Sequence, residues 1–246
     1  MKLGKKPAIK NSVSFRFRDY LSLTQAPLPP KTVNHEKGIT NWGMLGNDNY
    51  GDCVFAGAGH ETIAWNKTAG KVVTITDGNA LSDYSAVTGF NPNNPNSDQG
   101  TDMQAAASYR RKTGIISANG RHKVAAYLAI TPGNRTELKL ACYLFEAVGI
   151  GIQFPASAMD QFNAGHAWTV VRGAQIEGGH YIPMLGYNSR YIYIVTWGKV
   201  QKMSWAFFDK YCDEAIVYLS EEMLTGGKSI EGFDEASLRT DLVALK

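Results

Sequence analysis

Cys53 is the residue of this sequence whose surroundings best suit a nucleophile. It ends the polar segment Asn47-Asp-Asn-Tyr-Gly-Asp-Cys53 and precedes the small-residue run Val-Phe-Ala-Gly-Ala-Gly-His60. This run predicts a helix that begins at the thiol. The first turn of a helix offers unpaired N–H groups and the positive end of the macrodipole, which stabilise a thiolate and lower its pKa. Cys53 is therefore a candidate nucleophile.

A thiol nucleophile needs a general base, and His180 is the candidate we prefer. It follows Gly178-Gly179 and opens an apolar run, so we expect its ring to project from the end of a strand into a cleft. A neutral imidazole takes the thiol proton, and the resulting ion pair keeps the sulfur ionised. His166, in the segment Asn-Ala-Gly-His-Ala-Trp, is the rival base.

Asn47 is a candidate oxyanion donor. It precedes the thiol by six positions, and its side-chain amide could act together with the backbone N–H of Cys53 on the carbonyl oxygen under attack. The alternative is an Asx-turn within a polar loop. The sequence leaves both interpretations open.

The other cysteines and one further histidine are expected to be structural. Cys142 and Cys212 have apolar neighbours and are interpreted as small buried residues. His60 falls on the predicted nucleophile helix, but two turns below the thiol, so it points away from a cleft. Asp98 and Asp102 suit either calcium or helix capping, and we favour capping. No metal or cofactor is expected.

The elements that must position these residues are helical first and β-rich afterwards. Helices are predicted from Cys53 to about Lys67, from Asp102 to Lys112, and from about Thr136 to Ala147. Gly57 and Gly59 interrupt the first helix, and each glycine costs about 1 kcal/mol there, so we expect a close-packing reason for them.

Five short runs rich in Ile, Val, Tyr and Trp predict strands. The tight Asn188-Ser189-Arg190 connection predicts that two of them pair as a hairpin. The five runs are Gly149–Phe154, Ala167–Arg172, His180–Tyr187, Tyr191–Trp197 and Ala215–Ser220.

The two ends of the chain differ from its middle. Prolines at 27, 29 and 30 predict an extended N-terminal strap over residues 1–40. After Gly226-Gly227, the residues of 221–246 form a tail with a possible short helix, whose apolar face either docks on the domain or binds a partner, and we favour docking. That face would be formed by Phe233, Leu238, Leu242 and Leu245.

Composition bounds the class of protein. The 246 residues are 44% hydrophobic, enough for one large domain or two intimate lobes. A net charge of +3 makes nucleic acid an unlikely partner, and the basic residues of 1–18 are interpreted as a solvated arm. Three cysteines without CxxC pairs fit a reducing compartment. Neither a signal peptide nor a membrane-spanning stretch is recognisable, so we expect a cytoplasmic protein or a component of an intracellularly assembled particle.

From about Asn41 to Ser220 the chain resembles the papain-like cysteine peptidases. The resemblance lies in Asn47-x5-Cys53 opening a helix, in His180-Tyr-Ile-Pro-Met-Leu-Gly-Tyr187, and in Tyr191-Ile-Tyr-Ile-Val-Thr-Trp-Gly198. His180 follows Cys53 by 127 residues, near the roughly 130 typical of that family. The resemblance implies an α+β, two-lobed fold, with a helical lobe over 41–148 that carries the nucleophile and faces an antiparallel β lobe over 149–220.

Three positions depart from the pattern of this family. Asn47 replaces the usual Gln, and Val54 replaces the usual Trp after the nucleophile. The third catalytic position, normally Asn, falls on Thr196 when counted from His180 and on Val195 when counted back from Trp197. A Thr hydroxyl can accept a hydrogen bond from the imidazole, whereas Val cannot. The strap of about forty residues is also shorter than a long prodomain.

The resemblance implies a thiol hydrolase acting on peptide or protein substrates. Cys53 would attack, His180 would serve as base and then acid, Asn47 would hold the oxyanion, and Thr196 with Trp197 would orient and shield the ring. Two alternatives remain. One is a catalytically degenerate relative that binds or assembles with protein partners through its N- and C-terminal extensions. The other is a thiol transamidase or non-peptide amidase.

Overall fold

The structure is a computed structural model that describes residues 1–21, 26–224 and 235–244. The predicted nucleophile helix begins at the thiol, as expected. The three helices predicted from sequence are confirmed as α1, α3 and α4. The helices described are α1 (Cys53–Thr68), α2 (Asp77–Thr88), α3 (Met103–Lys112), α4 (Arg135–Phe145), α5 (Ala156–Asn163), α6 (Trp205–Tyr211), α7 (Glu221–Leu224) and α8 (Glu235–Ala244).

A single antiparallel sheet forms the β half of the described chain. Its strands follow the order β4-β9-β5-β6-β7-β8, and β1 adds to β6. The β6–β7 pair confirms the predicted hairpin. The strands are β1 (Val33–Asn34), β2 (Ile115–Ser117), β3 (Gly120–His122), β4 (Val124–Ala129), β5 (Val148–Pro155), β6 (Ile176–Tyr187), β7 (Tyr191–Thr196), β8 (Lys199–Ser204) and β9 (Cys212–Ser220), of which β2 and β3 form a separate hairpin.

One predicted strand is wrong. Ala167–Arg172 makes only an isolated bridge, between Trp168 and Met203. Trp168 is buried there, beside the edge strand β8, whereas Val170 and Val171 are exposed. The β-branched residues that suggested a strand therefore do not pack on the sheet.

The glycines of α1 have the close-packing role that the sequence predicts. A Cβ on Gly57 would lie 2.4 Å from Cδ1 of Tyr181 on β6, and one on Gly59 would lie 2.6 Å from Cδ1 of Leu45. The helix therefore rests directly on the strand that carries His180. Contact at this distance is possible only where a helix residue has no side chain.

A buried ion pair lies behind this contact. Arg110 of α3 places Nη2 2.6 Å from Oε2 of Glu61 on α1, and the Tyr181 hydroxyl donates to Oε1 of Glu61 at 2.7 Å. The Arg110 guanidinium also lies 3.8 Å from the centre of the Tyr218 ring. A buried carboxylate is tolerated only when it is paired and hydrogen-bonded, so the network fixes α1, α3 and β6 relative to one another.

The C-terminal residues described form α8, and Leu238 on that helix is buried in the core that also contains Phe17. This agrees with a docked tail. Phe233 and Leu245 of the predicted apolar face lie outside the described residues, as does the Gly226-Gly227 hinge. Among the helices that the structure describes, none has the length and apolar composition needed to cross a membrane.

Candidate functional site

The loop before Cys53 is held by a carboxylate from elsewhere in the chain. Gly51 donates its backbone N–H to both oxygens of Asp98, at 3.1 and 3.0 Å, and the Tyr84 hydroxyl donates to the same carboxylate at 2.7 Å. Asp98 thus fixes the turn from which the thiol enters α1. Asp102 caps α3 by accepting from the N–H of Ala105 at 2.8 Å, as predicted.

His180 lies on β6 with its ring fixed at one nitrogen. Nε2 is 2.7 Å from Oγ1 of Thr196, the last residue of β7. The other ring nitrogen, Nδ1, has no hydrogen-bond partner among the described residues. Thr196, rather than Val195, therefore occupies the position next to the imidazole, and Val195 is buried among apolar residues.

Trp197 covers the imidazole. Its ring stacks on that of His180 with centroids 4.5 Å apart and planes 18° from parallel. The backbone of Trp197 adopts a φ of 46°, which is rare for a bulky residue and is found where the surroundings impose it. Phe154 and Phe162 pack edge-on against the indole, so the ring that shields His180 is itself held in place.

Cys53 begins the helix that packs on the strand of His180. Gly57 of α1 lies directly against Tyr181, the residue that follows His180. Cys53 and His180 are nevertheless both buried, with 2% and 0% of their surfaces exposed. The open groove expected from the sequence is therefore closed in this structure.

Burial also changes the ionisation of the two groups. The sequence suggests a lowered thiol pKa, whereas burial raises the pKa of Cys53 to about 12. Burial lowers the pKa of His180 to about 3. Both shifts disfavour charge, because neither group can be solvated. In this closed state the thiol and the imidazole are neutral.

The side-chain amide of Asn47 points into its own loop. Its Nδ2 donates to the Tyr50 carbonyl at 3.0 Å. The Asn47 carbonyl accepts the N–H of Lys2 at 2.9 Å. This is the loop-structuring arrangement that the sequence left open as the alternative to an oxyanion donor.

Residues 2–6 of the chain lie against the loop that precedes Cys53 and against the strand of His180. The N–H groups of Gly4 and Lys5 reach the Gly179 carbonyl at 3.2 and 3.1 Å, and Thr101 exchanges hydrogen bonds with the Gly4 carbonyl (2.7 Å) and the Lys6 N–H (2.9 Å). A Cβ on Gly4 would lie 1.7 Å from the Gly51 carbonyl oxygen. The segment lies along a groove of about 820 Å³, which residues 3–8 line together with Gly100, Gly178 and Asp213.

The basic N-terminus is therefore not simply the solvated arm that the sequence suggests. Lys5 is buried, with its ammonium between Asp213 and Glu214, whereas Lys6 and Lys10 are exposed. Sequence reasoning missed Gly4 and Lys5, because only folding places the two acidic residues of β9 beside this segment.

The other histidines have structural surroundings or lie on the surface. His60 is buried, with Nε2 3.0 Å from the Gly43 carbonyl, and burial lowers its pKa to about 4. His122 lies between Ser117 Oγ (2.9 Å) and Glu222 Oε1 (2.6 Å). His166, the rival base, is exposed at the end of α5.

No cluster of three or more metal-ligating side chains occurs within residues 1–21, 26–224 and 235–244. Cys142 is buried, and burial raises its pKa well above the ordinary value. Cys212 is partly buried, and burial raises its pKa as well. Of the three cysteines, Cys53 is the one at the start of the helix that packs on the strand of His180.

Comparisons with known proteins give one consistent result. No family model matches the sequence, and no curated protein matches it. Solved structures do match in fold. Xylellain, a cysteine protease from Xylella fastidiosa, superposes with a TM-score of 0.68 at 12% identity, over 88% of this chain and 95% of that one.

Two further solved structures give the same picture. Procathepsin B S9 from Trypanosoma congolense has a TM-score of 0.63 at 11% identity, over 89% of this chain and 87% of that one. Digestive procathepsin L 3 of Tenebrio molitor has a TM-score of 0.61 at 15% identity, over 87% and 76% of the two chains. The chain thus has the α+β fold of papain-like cysteine proteases, as the sequence predicts.

Proposed function

We propose that this chain is a papain-like thiol hydrolase that cleaves amide bonds of peptides or proteins. The observation that carries the proposal is the setting of His180: Nε2 is bound to Thr196, Trp197 covers the ring, and Nδ1 is unpartnered among the described residues. Cys53 begins α1, and this helix packs at Gly57 against Tyr181, the residue that follows His180. The unpartnered nitrogen is therefore the one available to a thiol.

In the proposed reaction, Nδ1 of His180 takes the thiol proton and the Cys53 sulfur bonds to the carbonyl carbon. The imidazolium then protonates the amine as the C–N bond breaks, which leaves a thioester that water hydrolyses. The backbone N–H of Cys53, in the first turn of α1, is the first oxyanion donor. Asn47 is the second, provided that its amide turns away from Tyr50.

The reaction requires an open groove, so we propose that residues 2–6 hold the enzyme in a resting state. Displacing them admits water, removes the desolvation that keeps thiol and imidazole neutral, and allows the ion pair to form. The division into an N-terminal strap (1–40), two lobes (41–148 and 149–220) and a tail (221–246) is part of this proposal.

Gly4→Ala tests this proposal in the full chain. The new Cβ has no room against Gly51, so residues 2–6 must leave the groove while its walls stay native. We expect iodoacetamide to label Cys53 faster than in the wild type, and hydrolysis of peptide substrates to appear. Cys53→Ala in the Gly4→Ala background should abolish hydrolysis.

Two controls accompany that experiment. Lys10→Ala changes an exposed residue of the same segment and should behave as the wild type. Cys142, which is buried, and Cys212, which is partly buried, are internal references for thiols that are not activated. Labelling of Cys53 that stays as slow as that of Cys142 in the Gly4→Ala variant would refute the proposal.

A second candidate is a catalytically degenerate relative that serves in binding or assembly. The engagement of the Asn47 amide with Tyr50 favours it, because the second oxyanion donor is then missing. This alternative predicts no hydrolysis by Gly4→Ala even if Cys53 becomes accessible. A transamidase is distinguished by product analysis with an added amine, which only a transamidase would incorporate.

A further inference from the structure

The pocket that holds the Lys5 side chain is built to receive a cation. The side chain of Lys5 is completely buried, and Nζ lies 3.0 Å from Oδ2 of Asp213 and 2.9 Å from Oε1 of Glu214. Nζ also donates to the Lys6 carbonyl at 3.1 Å. The ammonium thus donates hydrogen bonds to Asp213 and to the Lys6 carbonyl, and it forms an ion pair with Glu214.

Glycines on the surrounding strands make room for Lys5, because they have no side chains. A Cβ on Gly151 would lie 2.1 Å from Cε of Lys5, and one on Gly179 would lie 2.2 Å from the Lys5 carbonyl oxygen. Gly151 on β5 is in register with Glu214 on β9 and with Tyr181 on β6. The slot therefore lies between the acidic strand and the strand that carries His180.

The main chain of residues 4–6 is recognised without regard to sequence. Gly179 and Thr101 bind it through backbone N–H and carbonyl groups, and any extended peptide presents the same groups. Discrimination between peptides must therefore come from the side-chain pocket. Gly179 directly precedes His180, so a residue seated there is held next to the proposed reacting centre.

The Asp213 and Glu214 carboxylates make it unfavourable for the pocket to be empty or to hold an apolar side chain. They are adjacent in sequence and mostly buried, with 17% and 15% of their side chains exposed. Without a cation their charges repel each other, and burial already raises the pKa of Glu214. A neutral side chain would leave both desolvated without compensation.

We propose that the Asp213–Glu214 pocket is a specificity subsite that selects a lysine side chain in peptides bound along this groove, and that Lys5 is its resident occupant. The inference rests on the proposed function only in taking the groove as a substrate site. Peptide binding can be measured without turnover, so the two proposals can fail separately.

The test uses the full chain with Lys5→Ala to empty the pocket and Cys53→Ala to prevent cleavage. The probes are two labelled peptides, Lys-Leu-Gly-Lys-Lys-Pro and the same peptide with norleucine in place of its second lysine, the one that corresponds to Lys5. We expect the lysine peptide to bind about tenfold more tightly or better, as charge-assisted hydrogen bonds imply. Glu214→Gln in this background should remove most of the preference.

The matched control is Glu177→Gln, which removes the same charge from an exposed residue of the groove rim and should keep the preference. Equal affinity for the two peptides, no measurable binding of either, or an equal loss of preference in Glu177→Gln would overturn the proposal. If the Gly4→Ala variant hydrolyses peptides with no preference for lysine, this inference is refuted and the proposed function stays intact.

A second experiment keeps a long side chain in the pocket. In the otherwise native chain, Lys5→Arg keeps the cation and Lys5→Met keeps a stem of similar length without charge. We expect iodoacetamide to label Cys53 about tenfold faster in Lys5→Met than in Lys5→Arg, because the uncharged side chain no longer holds residues 2–6 in place. Equal labelling rates would contradict a pocket that selects by charge.

Discussion

The Tyr181 hydroxyl donates a hydrogen bond to Glu61 at 2.7 Å, which joins the strand of His180 to the helix of Cys53. Tyr181 follows the proposed base in sequence, and Glu61 lies two helical turns after the proposed nucleophile. The relative position of the proposed nucleophile and base is therefore coupled to a buried polar network that includes neither of them.

Tyr181→Phe should destabilise the protein. It removes one partner of a buried carboxylate and leaves Glu61 with Arg110 alone, so we expect a loss of about 1–3 kcal/mol in the free energy of unfolding. Urea unfolding at neutral pH measures it. The matched control is Tyr127→Phe, whose hydroxyl bonds Ser108 at a half-buried site and should cost about 1 kcal/mol or less. Equal losses of stability in Tyr181→Phe and Tyr127→Phe would contradict a special stabilising role of the Glu61 network.

Gly57→Ala should be destabilising although alanine is the better helix former. Its Cβ would meet the Tyr181 ring at 2.4 Å, and overpacking of this kind costs about 1–3 kcal/mol. Gly78→Ala on α2 is the matched control, because its nearest neighbour is 3.8 Å away. We expect Gly78→Ala to be neutral or stabilising by up to about 1 kcal/mol. Thermal unfolding of both variants decides the comparison.

Buried neutral histidines should make the fold sensitive to acid. Burial lowers the pKa of His180 from 6.5 to about 3 and that of His60 from 6.5 to about 4. The unfolded chain binds these protons first, so stability is full above pH 6.5 and falls as pH decreases towards the folded-state values. Urea midpoints at pH 7 and pH 5 measure the loss.

Two histidine variants separate this effect from general acid denaturation. His60→Gln should reduce the difference between the two midpoints, because one buried titrating group is gone. The exposed His166 serves as the control, and His166→Gln should leave the difference unchanged. An unchanged difference in His60→Gln would mean that other groups cause the acid sensitivity.

Thr196 should matter for catalysis through the orientation of His180. In the Gly4→Ala background, Thr196→Val removes the hydroxyl 2.7 Å from Nε2, and we expect kcat to fall by roughly 10- to 100-fold, part of what general base catalysis contributes. Thr196→Ser keeps the hydroxyl and should keep most of the activity. Peptide hydrolysis across a pH range measures kcat and KM for both. A Thr196→Val variant as active as Thr196→Ser would exclude the orienting role.

The sequence predicted the fold because its strongest signals are local. The loop-to-helix transition at Cys53 and the Asn188-Ser189-Arg190 turn each depend on a few neighbouring residues. α2 was missed, although Thr76 and Asn79 form a capping box at its start.

The choice between Thr196 and Val195 needed the structure. The β6–β7 ladder shifts register between Met184 and Gly186, and a shift of one residue moves a side chain to the other face of a sheet. Counting along the sequence cannot detect such a shift. The sequence also could not predict that residues 4–6 lie in the groove. Their contacts are with Thr101, Gly179 and β9, which are all distant in sequence.

In the proposed resting state, residues 2–6 also determine how this protein behaves in an inhibitor or substrate screen. A tethered occupant competes as an intramolecular ligand, at an effective concentration in the millimolar range for short flexible connections. A free peptide with micromolar affinity would then gain little occupancy at ordinary assay concentrations. In a screen of the wild-type chain, competition from residues 2–6 would therefore lower the apparent affinity of every added ligand. The Gly4→Ala and Lys5 variants are the suitable starting material.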